Sequence, residues 1–154
     1  MSFRISGLPA EPFAELFSLS DEALAERRAM RVVADSDSGF PCRISLTDAR
    51  RGQTLLLVNY EHQTADTPYR SNYAIYIRED EQQYDRTNEV PEQFRRRLLS
   101  VRGFDERGIL LDADVTQGTE LEPLIDRLFE NKQIAYLHVH NARPGCYAAR
   151  IDRA

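Results

Sequence analysis

Three histidines, His62, His138 and His140, and two cysteines, Cys42 and Cys146, are the whole stock of imidazole and thiol groups in this 154-residue chain. His138, His140 and Cys146 fall within one stretch, "YLHVHNARPGCYAAR", while His62 ends "LLLVNYEH" and Cys42 opens "CRISL". Alternate side chains of a strand share a face. His138 and His140 should therefore stand on one side, about 7 Å apart, with Leu137 and Val139 facing a core on the other. Two imidazoles at that spacing can share a metal ion if a neighbouring strand supplies a third ligand. His62 is the one histidine left for that place, and Glu61 or Cys146 is the candidate fourth ligand or acid/base group. Three protein ligands with an open position make a catalytic zinc or non-haem iron site, in which bound water is activated near neutral pH. The plainer expectation is that H-x-H arises by chance on many strands, and that these rings hydrogen-bond locally on a half-covered sheet face.

Other side chains suggest further chemistry. Cys146 follows the turn "ARPG" and should return beside the histidine strand, with Arg143 in the turn; Cys42 sits between Pro41 and Arg43. Either thiol beside a positive charge or a histidine base is a candidate nucleophile, although free cysteines are most often small buried hydrophobes. Tyr60, Tyr69, Tyr73 and Tyr76 lie close in sequence around Arg70. Tyr60, Tyr69 and Arg70 are the candidate contacts for a planar or anionic small-molecule ligand, against the ordinary use of tyrosine on sheet surfaces. Asp112 and Asp114 in "DADV" share a strand face and suit a hard cation, an acid/base pair or simple solvation. The motifs G-x-S-x-G, H-E-x-x-H, G-x-x-x-x-G-K-[ST] and C-x-x-C are absent, which removes the common hydrolase, metalloprotease, P-loop and zinc-ribbon readings.

The elements that must hold these residues follow from periodicity. "FRIS" alternates as a short strand, Pro12 to Phe17 suits a helical turn, and Ser20 before "DEALAERRA" is a helix N-cap. "MRVVAD", "CRISL", "TLLLVNYEH" and "YRSNYAIYIR" read as strands, the third of them central because its apolar middle is uninterrupted. Residues 79–92 are polar and without period, which predicts a surface loop, with a lid as the sharper alternative. A short helix "PEQFRRRLL" comes next. It is followed by two strands around "DERG", an amphipathic helix over Gly118–Glu130, and a C-terminal hairpin "IAYLHVHN"–"CYAARID". The expectation is one α+β domain over residues 1–154, with a largely antiparallel mixed sheet of about seven or eight short strands and about three helices packed on it.

Composition narrows the setting. The chain is 42% hydrophobic and 29% charged, ordinary for a globular protein, and no apolar run approaches the ~20 residues of a membrane span. A formal net charge of −5 argues against nucleic acid as a partner. Two cysteines and no recognisable secretory signal lead to the expectation of a reducing cytoplasm with no membrane partner.

The segments "GFPCRISLTDARRGQTLLLVNYEHQ", "PYRSNYAIYIRE", "FDERGILLDADV" and "AYLHVHNARPGCYAARID", in this order, resemble the bacterial family called domain of unknown function 1203. The resemblance implies a small stand-alone protein and carries no assigned catalytic residues. Two functions follow from the residues themselves. One is a metal-binding protein or metal-dependent enzyme using His138, His140 and His62 with a divalent ion such as zinc or iron. The other is a non-catalytic ligand- or protein-binding module with structural histidines.

Overall fold

A computed structural model describes residues 1–154. The chain begins with strand β1, Phe3–Ser6, a 3-10 helix, Glu11–Ser18, and helix α1, Asp21–Glu26. Ser20 caps α1 by accepting a hydrogen bond from the Ala23 amide at 3.2 Å, the N-terminal device its position predicts. Strands β2 (Ala29–Val33), β3 (Thr54–Gln63), β4 (Ser71–Ile77) and β5 (Asp85–Thr87) follow. Helix α2 (Glu92–Arg95) leads to strands β6 (Leu98–Phe104) and β7 (Leu110–Gln117). A 3-10 turn, Gly118–Glu120, runs into helix α3, Leu121–Glu130, and strands β8 (Tyr136–Asn141) and β9 (Tyr147–Arg153) close the chain. The architecture is α+β, and every pairing between strands is antiparallel.

Nine strands form two sheets rather than one. The larger has the order β5-β1-β9-β8-β6-β7 and the smaller β2-β3-β4, which makes β3 central as its apolar run predicts. Two expectations are corrected. "CRISL" forms a turn with isolated bridges from Pro41 to Asp48 and from Cys42 to Tyr76, because Leu46 adopts a positive φ of 53° that breaks an extended run. Within the polar 79–92 segment, Asp85–Thr87 is an edge strand on β1. Charged and polar residues suit such an exposed edge, so the segment gives no apolar signal.

One face of the large sheet is covered by α3. Leu121, Leu124, Ile125, Leu128 and Phe129 are buried against Leu99, Val101, Leu137, Val139, Ala149 and Ile151. Each such side chain contributes roughly 1.5–3 kcal/mol relative to exposure, so Leu137 and Val139 anchor β8 and settle which face its histidines occupy. The second core, Leu8, Phe13, Leu24, Ala29, Ile44, Leu56, Val58, Ile75 and Ile77, lies under the small sheet and includes Tyr147 of β9. That tyrosine is the join between the two sheets. No helix is long and apolar enough to cross a membrane.

Candidate metal centre

His138 and His140 project from the face of β8 opposite α3, and the antiparallel register fixes their neighbours. His138 lies between Arg102 of β6 and Arg150 of β9, and His140 between Ser100 and Tyr147. The face is buried rather than half covered: His138 is 4% exposed and His140 1%. Its lid is the far end of β3. Leu56, Val58 and Tyr60 turn one face of that strand inward, and His62 continues their alternation. Pairing with β4 shifts register between Glu61 and Gln63, which leaves His62 as the extra residue of a β-bulge. A second shift, between Val139 and His140, places Tyr147 rather than Ala148 opposite His140. Bulges re-aim a side chain out of the regular ladder, and here one lies at the third histidine and the other at Tyr147.

The three histidines come together. One ring nitrogen from each lies within 4.8 Å of the others. The ring of His62 is 4.9 Å from that of His140 and 6.4 Å from that of His138. Tyr147 stacks flat on His62, 5.6 Å away at 7° between planes, and meets His138 and His140 edge-on. Phe104 and Tyr136 pack on the outer side of His138 at 5.2 and 5.1 Å. Gln63 secures the end of β3 to the large sheet by donating to the Tyr136 hydroxyl at 3.0 Å.

Burial makes all three rings neutral bases at pH 7. It pushes both His138 and His140 down to about 3, helped by the neighbouring Arg102 guanidinium. His62 is lowered by burial and then by Arg102. Nδ1 of His140 lies 2.9 Å from the Gly145 carbonyl oxygen. A carbonyl only accepts, so this contact places the proton on Nδ1 and leaves Nε2 with its lone pair. Arg102 Nη1 approaches that Nε2 at 3.4 Å. The Nδ1 atoms of His62 and His138 are buried without a hydrogen-bond partner, an uncommon state for a buried ring nitrogen that a water, an ion, local strain or a catalytic role accounts for.

The remaining candidates are placed elsewhere. Cys146 Sγ is engaged by Arg43 Nη2 at 2.8 Å and by Asn141 Nδ2 at 3.6 Å, and it does not join the histidine group. Glu61 accepts from Arg70 at 2.5 Å, on the opposite face of β3 from His62. That ion pair occupies Arg70, while Tyr60 packs inward between Phe13 and Tyr147 and Tyr69 is 40% exposed against Phe104. Cys42 is free and fully buried beside Ile44. Asp112 and Asp114 both pair with Arg127 of α3 at 3.2 and 2.9 Å, so they form a solvated ion-pair face. Sequence reasoning overlooked Tyr147 and Arg102. Arg102 was accessible through strand alternation alone, since it sits two residues after Ser100 on "SVRGF"; Tyr147 was concealed by the bulge.

No curated protein and no solved structure shows detectable similarity to this chain. A family model, "Protein of unknown function (DUF1203)", matches residues 39–153, the span that carries β3, β6, β8 and β9 and all three histidines. The chain is a member of the DUF1203 family.

Proposed function

We propose that His62, His138 and His140 bind one divalent transition metal ion, zinc or iron, and that the protein uses it as a Lewis-acid centre. The observation that carries this reading is the convergence of three neutral imidazoles, from two separate sheets, to within 4.8 Å. Ligands of a tetrahedral zinc at ~2.0–2.1 Å lie about 3.3 Å apart, so small rotations of the rings close the set. Imidazole suits zinc, iron and copper, and a centre without thiolate or carboxylate keeps its positive charge. The Gly145 carbonyl would hold His140 in the tautomer that offers Nε2, the outer-shell support that ligating histidines typically have. Arg102 is the one neighbour that competes for Nε2. Metal binding would release it toward solvent, where its guanidinium can meet an anionic substrate. Held by His62, His138 and His140, such an ion would keep a position open and would supply activation of water for attack on a carbonyl or phosphoryl centre.

The rival reading, a binding module with structural histidines, draws on the same aromatic cluster. The flat stack of Tyr147 on His62 and the edge contacts to His138 and His140 are what purely structural rings would also make. Metal content separates the two. Protein purified without a histidine tag is expected to hold, or to take up on reconstitution, about one zinc or iron per chain, and to lose it in a His138→Ala/His140→Ala double variant. Folded protein that stays metal-free with zinc, iron and manganese alike would establish the structural reading.

A further inference from the structure

A cleft opens between the small sheet and the "ARPG" turn, with Cys146 in its wall and none of the three histidines lining it. Its volume is about 990 Å³, and Arg43, Arg96, Arg97, Arg143, Asn141 and Cys146 are among its lining residues. Four guanidinium groups therefore face one space in a chain whose formal net charge is −5. Asp48, which pairs with Arg97 at 2.9 Å, is the single carboxylate on the wall. A concave wall with such an excess of one sign concentrates ions of the other.

Two buried groups show that this is more than surface charge. Arg43 is 1% exposed, and no carboxylate is among its hydrogen-bond acceptors: they are the Tyr147 and Pro41 carbonyls, both at 2.5 Å, and Cys146 Sγ at 2.8 Å. A buried guanidinium with no carboxylate partner is stabilised further by an anion nearby. Asn141 is 5% exposed, and its Oδ1 has no hydrogen-bond partner. That oxygen accepts only, so its missing partner is a hydroxyl or N–H donor. The two demands together describe a small molecule with an oxyanion and a donor group.

We propose that this cleft is a second ligand site, for a small carboxylate- or phosphate-bearing molecule that also carries a hydroxyl or N–H donor, with Cys146 in the wall beside the ligand. Arg96 and Arg143 are the exposed groups at the mouth, suited to capturing the oxyanion by a planar fork. Arg43 and Asn141 form the buried end. The site is independent of the metal reading, since none of the three histidines lines it.

Cys146 makes the cleft readable with iodoacetate, a carboxylate that marks the thiol it sits beside. Sγ forms a bond to the methylene carbon, the carbon–iodine bond breaks, iodide leaves and the thiol proton passes to water. The measured quantity is the iodoacetate-to-iodoacetamide rate ratio at Cys146, located by peptide mass and divided by the same ratio for glutathione. One charge-assisted contact raises it on the order of tenfold. Citrate and inorganic phosphate should each slow the reaction; protection by citrate alone identifies a carboxylate ligand, and by phosphate alone a phosphate ligand. An Arg96→Ala/Arg143→Ala double variant, altered only at exposed positions, should lower the ratio toward that of glutathione while leaving the iodoacetamide rate unchanged. A ratio no higher than that of glutathione, a Cys146 that reacts with neither reagent, or a raised ratio that neither the anions nor the arginine substitutions change would overturn the proposal.

Discussion

Acid should unfold the metal-free protein through the two buried histidines, and the size of the effect follows from their environment. Both are held at about 3 in the fold, against an ordinary value of 6.5. The unfolded chain therefore takes up these two protons first. Their contribution to stability is complete above pH 6.5 and is lost progressively as pH falls toward 3. At pH 5 each ring that is protonated in the unfolded chain and neutral in the fold costs about 2 kcal/mol, so the pair costs about 4 kcal/mol. A domain has only about 5–15 kcal/mol in total, and with an m-value near 2 kcal/mol/M the urea midpoint should drop by about 2 M. The assay is urea unfolding at pH 7 and pH 5 in the presence of a chelator, on the natural protein and on a His138→Gln/His140→Gln variant. The variant is expected to lose clearly less over the same interval, keeping only the contribution of His62. A loss below about 1 kcal/mol in the natural protein, or an equal loss in the variant, would refute the claim that these rings are buried neutral.

Four other outcomes follow from particular contacts. Zinc at 100 times its dissociation constant should stabilise the natural protein at pH 7 by about 2.7 kcal/mol in the same urea assay, and the His138→Gln/His140→Gln variant not at all. Gly118→Ala should cost about 3 kcal/mol or more by thermal unfolding, because an added Cβ would lie 1.6 Å from the Phe94 carbonyl oxygen and backbone has to move. Arg43→Ala should cost about 3–5 kcal/mol, since it leaves a void and strips donors from the Pro41 and Tyr147 carbonyls. Ser20→Ala should lower stability by about 1 kcal/mol through loss of the α1 cap, with metal uptake unchanged.

Local patterns in the sequence were sufficient for most elements. Alternation and apolar runs identified β1, β2, β3, β4, β6, β7, β8 and β9, and apolar residues three and four apart identified α3, because pattern and burial are the same physical fact in those segments. They failed at "CRISL", where the positive φ of Leu46 overrides an alternating pattern, and at Asp85–Thr87, whose exposed edge position needs no apolar residue. They also did not show that the strands divide between two sheets. Strands of either sheet alternate in the same way, and the division is visible only in which strand bonds to which.

The same boundary runs through the candidate site. The period of a strand determined that His138 and His140 share a face and that Leu137 and Val139 hold the other against α3. That His62 meets them depended on the small sheet laying the far end of β3 over the large one, on the bulge between Glu61 and Gln63, and on Tyr147 filling the join. His62 and His138 are 76 residues apart, and no short-range pattern encodes a distance across that gap. Cys146 shows the converse. Proximity along the hairpin suggested that it belonged with the histidines, but a buried guanidinium from the distant "CRISL" turn draws its sulfur into a different cleft. Side-chain chemistry and strand period are local properties and can be read from the chain; convergence of groups from separate sheets is a property of packing, and only the folded molecule decides it.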